Sequence, residues 1–379
     1  MLITRRRCSE LRCLDRSLVQ FTRLARLSIP PPVLCRRAFH TQQPPRLLRP
    51  HSVLFFGSDE FSILCLKRLH NAQLSRPNQV ISHLEVVTPP DNPRNKVSQV
   101  PLKLFAASVG LKVHSAPPKS LRGWNIPESS NPFTLAVVVS FGYFLPRRVI
   151  ASFPHGALNV HPSLLPKYRG AAPLQHTILN DDREGGVSII ELDDKRFDVG
   201  RILKQTRIDI PPKTRFSTLH DQLGAIGAAD LLTVIADLPS YKAQAQLQDE
   251  SAASSAPKIS KTMAVVDWTR TAREIATLDR AIGEKIPLHT TFRGRRIQLL
   301  TILDPDESGV PPSTTSAATP KPGSFEIDAS AGLLRVACGS GTWLSVQVVK
   351  VEGKNAVRIP DFVNGYQLKS GTGQNSFGS

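Results

Sequence analysis

Five short apolar runs constrain this chain most: Val53–Phe56, Leu84–Thr88, Leu135–Ser140, Ala157–His161 and Val187–Leu192. Each has strand length, and helical patterns lie between them. Phe61, Leu64, Cys65 and Leu69 share one helical face, and Leu102–Val109 and Pro173–Leu179 read as further helices. Strands alternating with helices predict the α/β class, a doubly wound, mostly parallel sheet. The first run passes through Gly57 into a helix, with Ser58 as the expected cap and Asp59 and Glu60 in the first turn. One glycine is not a G-x-G-x-x-G fingerprint, so a nicotinamide dehydrogenase is disfavoured.

From Tyr241 to Ser255 the composition shifts to Ala, Gln and Ser, which predicts a linker over 241–257 between a first unit (51–240) and a second (258–370). The second unit contains Val265-Val266-Asp267-Trp268, a helical stretch from Thr271 to Ile282, and four short strand candidates: Thr291–Phe292, Ile297–Ile302, Leu333–Ala337 and Leu344–Lys350. Glycines between them suggest a small β-barrel or sandwich. Residues 304–323, rich in Pro, Ser and Thr, are expected to form a mobile loop within it.

The formal charge of +17 suggests nucleic acid, but over half of it lies in residues 1–50, where eleven arginines face only Glu10 and Asp15. Leu14, Leu18, Phe21, Leu24 and Leu27 recur there at helical spacing among arginines, the pattern of a mitochondrial targeting segment. A basic arm touching RNA has the same composition. No run approaches the roughly 20 apolar residues needed to cross a bilayer, so membrane insertion is not expected. Cys65 and Cys338 remain beyond the tail, far apart and without C-x-x-C spacing, and read as core thiols rather than a zinc site or disulfide.

Asn159 and His161 stand two apart in and just after the run Ala157–Val160, so on a strand they share one face while Leu158 and Val160 occupy the other. Pro162 must end the strand and leave both groups at its carboxyl end, where open α/β sheets bind ligands. Acyl or formyl transfer to an amine needs a donor for the developing oxyanion and a group to handle the amine proton. An amide and an imidazole supply these. A carboxylate is then wanted beside the histidine, and Asp193, Asp194 and Asp198, just after the Val187–Leu192 run, are equal candidates. Ser163 lacks a G-x-S-x-G elbow, and the histidines lack metal-ligand spacing.

The string Asn159-Val160-His161, Ser163–Pro166 and Lys167-Tyr168-Arg169-Gly170-Ala171-Ala172-Pro173 strongly resembles the signature of the methionyl-tRNA formyltransferases. The resemblance runs from Val53 to about Tyr366. It includes Phe56–Phe61, Val137–Pro146, Lys258–Lys261 and Val266-Asp267-Trp268. It implies a formyltransferase-type Rossmann-like domain with a C-terminal OB-like barrel. It also implies that the amine of initiator methionyl-tRNA attacks the formyl carbon of 10-formyltetrahydrofolate, without a metal, in the mitochondrial matrix, and in a monomer. Residue by residue, the catalytic trio falls on Asn159, His161 and Asp198. Tetrahydrofolate contacts fall on Ser163, Leu164, Leu165 and Pro166, with Phe141, Gly142 and Leu145 beside the pterin.

Three departures stand out. Pro162 replaces a glycine common in relatives, the aspartate loop looks one residue longer, and the loop after Thr88 is short and weakly basic. Arg94 and Lys96 are its candidate phosphate contacts, and Arg293, Arg295 and Arg296 are those of the second domain, within a basic set that includes Lys258, Lys261, Arg270 and Arg273. Two rivals are a folate-dependent enzyme acting on a nucleotide amine, disfavoured by the Lys258–Trp268 match, and a non-catalytic RNA-binding relative, disfavoured by the intact trio.

Overall fold

The computed structural model describes residues 50–75, 79–91, 99–305, 320–369 and 375–378. The expected targeting segment up to residue 49, Arg94, Lys96 and most of the 304–323 loop lie outside the described residues.

The first domain is a seven-stranded sheet made of β1 (His51–Gly57), β2 (Ile81–Thr88), β3 (Val113–Ser115), β4 (Leu135–Val139), β5 (Ala157–His161), β6 (Glu184–Glu191) and β7 (Ile202–Asp209). The order is β3-β2-β1-β4-β5-β6-β7. The first five strands are parallel, which bears out the doubly wound reading, while β6 runs antiparallel to both of its neighbours, β5 and β7. The order reverses between β1 and β4, so a crevice is expected outside their carboxyl ends.

Helix α1 (Glu60–Leu74) follows β1, α2 (Pro101–Ser108) precedes β3, α3 (Arg147–Ala151) precedes β5 and α4 (Pro173–Leu179) follows it. The α1 cap is Asp59 rather than Ser58: its carboxylate accepts from the Ser62 N–H at 3.0 Å. Ser58 is still at the strand end, so its hydroxyl donates across the sheet to the Ser140 carbonyl.

The longest helix, α5 (Phe216–Ala236), carries only a weak amphipathic signal in the sequence because its exposed face, which includes Ala225, Ala229 and Ala236, is partly alanine. A Cβ at Gly224 would lie 2.3 Å from Leu64 on α1, and one at Gly227 would lie 2.8 Å from Val160 on β5. These glycines disfavour an isolated helix, yet they let α5 pack closely against α1 beside it and against the sheet beneath. Val160 and Val187 beneath Gly227 also fix which face of β5 is core. Asn159 and His161 therefore look the other way.

After α6 (Leu238–Ala243) the chain runs to α7 (Ala272–Leu278), which has a Thr271–Glu274 capping box. An antiparallel sheet follows, made of β8 (Leu288–Phe292), β9 (Arg295–Leu303), β10 (Phe325–Asp328), β11 (Leu333–Ala337) and β12 (Trp343–Val351) in the order β10-β11-β12-β9-β8. β13 (Ala356–Arg358) pairs with β12 ahead of α8 (Ile359–Gly365). Residues 375–378 link its outer edges: Gly378 N–H donates to Thr291 O at 2.9 Å and Phe377 N–H to Gly323 O at 2.8 Å. The Phe377 ring stacks on Trp268 at 5.7 Å, which plugs the closed end.

One buried apolar cluster runs through both domains, from Val53 to Phe377. Cys65 and Cys338 lie within it as buried thiols, and burial pushes Cys338 up to about 12. The junction is also polar. Arg215, just before α5, pairs with buried Asp279 at 3.0 Å, Lys213 and Arg280 reach Asp304, and Ser217 donates to Glu284.

Burial pushes the Asp279 carboxyl from 3.8 up to about 6, with Arg215 and Arg280 opposing and Glu284 adding. The folded chain thus holds this proton more tightly than the unfolded one, and stability falls as pH rises from about 4 to about 6. Relative to Asp279→Asn, the native protein should lose about 2–3 kcal/mol across that window. Denaturant unfolding at a series of pH values measures this, and a pH-independent gap between the two proteins would contradict it.

Candidate active site

The site is built where β5 stops. Strand alternation turns Asn159 and His161 to the face opposite α5, and Pro162 then diverts the chain into a loop that folds back over them. His161 is 5% exposed, and its Nε2 lies 2.7 Å from the Tyr168 carbonyl. A carbonyl only accepts, so Nε2 carries a proton, and Nδ1 is the nitrogen left to change state. Nδ1 lies 3.5 Å from Asp198 Oδ1. The Asn159 amide approaches the same oxygen at 3.4 Å, a long contact that leaves its donor capacity largely unused.

Asp198 gets there by an unexpected route. In an all-parallel sheet the residues just after Val187–Leu192 would emerge beside the carboxyl end of β5, but β6 is antiparallel, with Leu158 opposite Glu191 and His161 opposite Ser188. β6 therefore ends beside the start of β5, and the 192–201 connection doubles back across the face. Its base is closed by Glu191 N–H to Arg201 O at 3.0 Å. Asp198 sits in the left-handed region at φ 59°, and a Cβ on Gly200 would lie 1.7 Å from the Glu191 carbonyl, so only glycine fits there.

Of the three open candidates, Asp198 alone meets the histidine. Asp193 is a half-buried loop residue accepting from the Lys195 and Arg196 N–H groups, and Asp194 faces Arg147 at 3.4 Å.

The second Asp198 oxygen accepts from the Gly170 N–H at 2.9 Å. Gly170 stands at φ 128°, and a Cβ there would lie 2.5 Å from the Ala256 carbonyl. Tyr168, two residues earlier, is anchored through its hydroxyl to Asp182 at 2.6 Å and by Asn180 at 2.7 Å, and burial pushes its phenol up. This anchor fixes the carbonyl that holds His161.

The residues expected around folate divide into two sets. Ser163, Leu164 and Leu165 build the loop itself. Ser163 Oγ bonds the Tyr168 N–H and C=O, Leu165 is buried, and Leu164 lies over Gly186. Pro166 is half-buried, and its carbonyl accepts from Ser254. Phe141 and Leu145 are buried against the outer face of the sheet, with Phe141 edge-on to Phe56 at 5.3 Å, while Gly142 is exposed at φ 77°. Phe144 meets exposed Phe197 edge-on at 5.2 Å and joins this loop to the aspartate loop.

Arg293, Arg295 and Arg296 are all exposed at the β8–β9 hairpin. Arg293 folds over Phe292 and Tyr366, and Arg296 reaches His289. Neighbours on a strand alternate faces, so these cations surround the hairpin end rather than form one flat patch.

Gln248, Arg169 and Gly170 also belong to the site's framework. Arg169 and Gly170 lie in the signature string, but Gln248 sits in the Ala/Gln/Ser-rich stretch and carries no motif. Among the described residues, no cluster of three metal-ligating side chains occurs.

A doubly wound sheet joined to an antiparallel second domain has counterparts in known proteins. Residues 51–235 match the formyl transferase family and residues 258–367 its C-terminal domain, which defines the chain as a formyl transferase. The mitochondrial methionyl-tRNA formyltransferase of Bos taurus is 35% identical over 353 residues, covering 93% of this chain and 85% of its own. That of Homo sapiens is 36% identical over 319 residues, covering 84% and 78%. The chain belongs to the methionyl-tRNA formyltransferase family. A sugar 3N-formyl transferase, solved in the presence of dTDP and 5-N-formyl-THF, shares the fold at TM-score 0.51 and 15% identity, over 80% of this chain and 99% of its own.

Gly170→Ala must displace either the Ala256 backbone or the N–H that holds Asp198. It should cost about 1–3 kcal/mol of stability. Denaturant unfolding tests this, and an unchanged midpoint would contradict it.

Proposed function

We propose that this chain transfers the formyl group of 10-formyltetrahydrofolate to the α-amino group of initiator methionyl-tRNA, with Asn159, His161 and Asp198 as its catalytic residues. Convergence of those three side chains at the carboxyl end of β5 carries the reading. Bound folate supplies an activated formyl carbon. The chain's residues manage the charge that moves around it.

As the amine attacks, negative charge grows on the formyl oxygen. The Asn159 amide has a weakly engaged donor to offer it, fixed by the strand so that no reorganisation is needed. The His161 Nε2–H is engaged by the Tyr168 carbonyl, so proton traffic passes through Nδ1. Once charged, the ring faces Asp198, which the Gly170 N–H holds as an acceptor. Asp198 thus orients the imidazole and offsets its charge. The exposed Gly142 turn, with Pro166 and the inward-packed Ser163–Leu165 loop, would frame the folate, and Phe141 and Leu145 would support that turn from beneath.

Arg293, Arg295 and Arg296 would neutralise tRNA phosphates, as would Arg94 and Lys96. The arginine-rich residues 1–50 support delivery to the mitochondrial matrix, where the chain would act as a monomer. No described helix is long and apolar enough to cross a membrane.

Purified protein given the formyl donor and charged initiator tRNA should produce formylmethionyl-tRNA, and Asn159→Ala should do so about 10²–10³ times more slowly with tRNA binding retained. Full turnover by the variant would place the oxyanion donor elsewhere. Replacing Arg293, Arg295 and Arg296 together should weaken tRNA binding and flatten its salt dependence by up to about three phosphate contacts. An unaltered salt slope would remove the hairpin from the interface.

A further inference from the structure

The stretch expected to be a plain linker is hydrogen-bonded into the site. Gln246 pairs with Ile202 at the base of the aspartate loop, with N···O distances of 2.8 and 2.9 Å. Leu247 flares into solvent at 84% exposure, and Gln248 turns inward. The Gln248 amide nitrogen donates to the Asp198 carbonyl and to the Gly200 carbonyl, both at 2.8 Å. Its oxygen accepts from Arg169 Nε at 3.0 Å and Nη2 at 2.8 Å. Arg169 is fixed again by Glu250, and its backbone is bracketed by Ser254 and Ala256.

These contacts close a ring. Asp198 Oδ2 is held by Gly170, Gly170 follows Arg169, Arg169 holds the Gln248 oxygen, and the Gln248 nitrogen holds the backbone of Asp198 itself. Both ends of the side-chain amide are used in their only chemically allowed sense. Asp198 stands at φ 59°, a conformation an aspartate keeps only when its surroundings impose it. The loop carrying it bears exposed Phe197 and the exposed turn Lys195–Arg196, so little core packing holds it in place.

We infer that Gln248 is a positioning residue for the transfer reaction: it locks the Asp198 loop against the Arg169–Gly170 loop and so sets the carboxylate's distance to His161 and Asn159. This rests on the reading of Asp198 as the group that orients His161. The interdomain segment therefore completes the active site and does more than space the domains.

The test is a double-mutant cycle on the full-length protein, with kcat and KM measured for both substrates. Gln248→Ala should lower kcat about 10–100-fold, as expected when a catalytic group moves by an ångström or less. KM values should stay within roughly threefold, since neither substrate is touched. Gln248→Glu still accepts from Arg169 but cannot donate to the two carbonyls, so it should keep the fold and lose kcat to a similar extent. It therefore carries the test even where the alanine variant folds poorly. In an Asp198→Ala background, either change should slow single turnover by less than about twofold further, because the group it positions is gone.

Wild-type kcat in Gln248→Glu beside a slow Asp198→Ala would overturn this inference alone. So would effects that multiply in full in the double variants, which would mark a merely structural role. Wild-type kcat in Asp198→Ala would instead overturn the assignment of Asp198, whatever the Gln248 variants do.

Discussion

Asp198 is the one group through which the pieces of the site are held together. One carboxylate oxygen is 3.5 Å from the imidazole and 3.4 Å from the amide, and the other is fixed by the Gly170 N–H at 2.9 Å. No single element places it. β5 supplies the two groups it faces, the signature loop supplies the N–H, and the segment after α6 grips its backbone. A charged acceptor held by a backbone N–H is a strong contact, and its loss would leave Oδ2 of the carboxylate and the Gly170 N–H without each other. The glycines at 170 and 200 follow from this crowding, because backbone from another segment occupies the space a Cβ would need at each.

Parts of this arrangement could be read from the sequence. The two-residue spacing of Asn159 and His161, the apolar Leu158 and Val160 between and before them, and the terminating Pro162 carry the face and edge of β5 without any tertiary information. The alternation of runs likewise implies the doubly wound sheet. The choice of Asp198 over Asp193 and Asp194 rested on family likeness alone, because the three stand within six residues and strand direction is not written in local periodicity. The reversal of β6 is a tertiary fact, and it changes the reason Asp198 can reach His161.

Other elements left weaker traces. α5 is rich in alanine and glycine, and its exposed face includes Ala225, Ala229 and Ala236, so it lacks the strongly polar face that marks a surface helix. Gln248 is one glutamine among several in a compositionally bland stretch, and only its four hydrogen bonds distinguish it. The pairing of residues 375–378 with the edges of the second sheet has no local signature either, since Phe377 gains its value from Trp268 and Phe325, distant in the chain.

The turn at Asp193 has a bearing on how such sites diverge. Its carboxylate gathers the Lys195 and Arg196 N–H groups into a self-contained bend, ahead of Asp198 and clear of the ladder that ends at Glu191 and Arg201. An added residue can be taken up in that bend while the downstream stretch, pinned at Asp198 and Gly200, keeps its register. Length variation in this hairpin tip thus falls ahead of the pinned Asp198 and Gly200, on the rim rather than on the reacting groups.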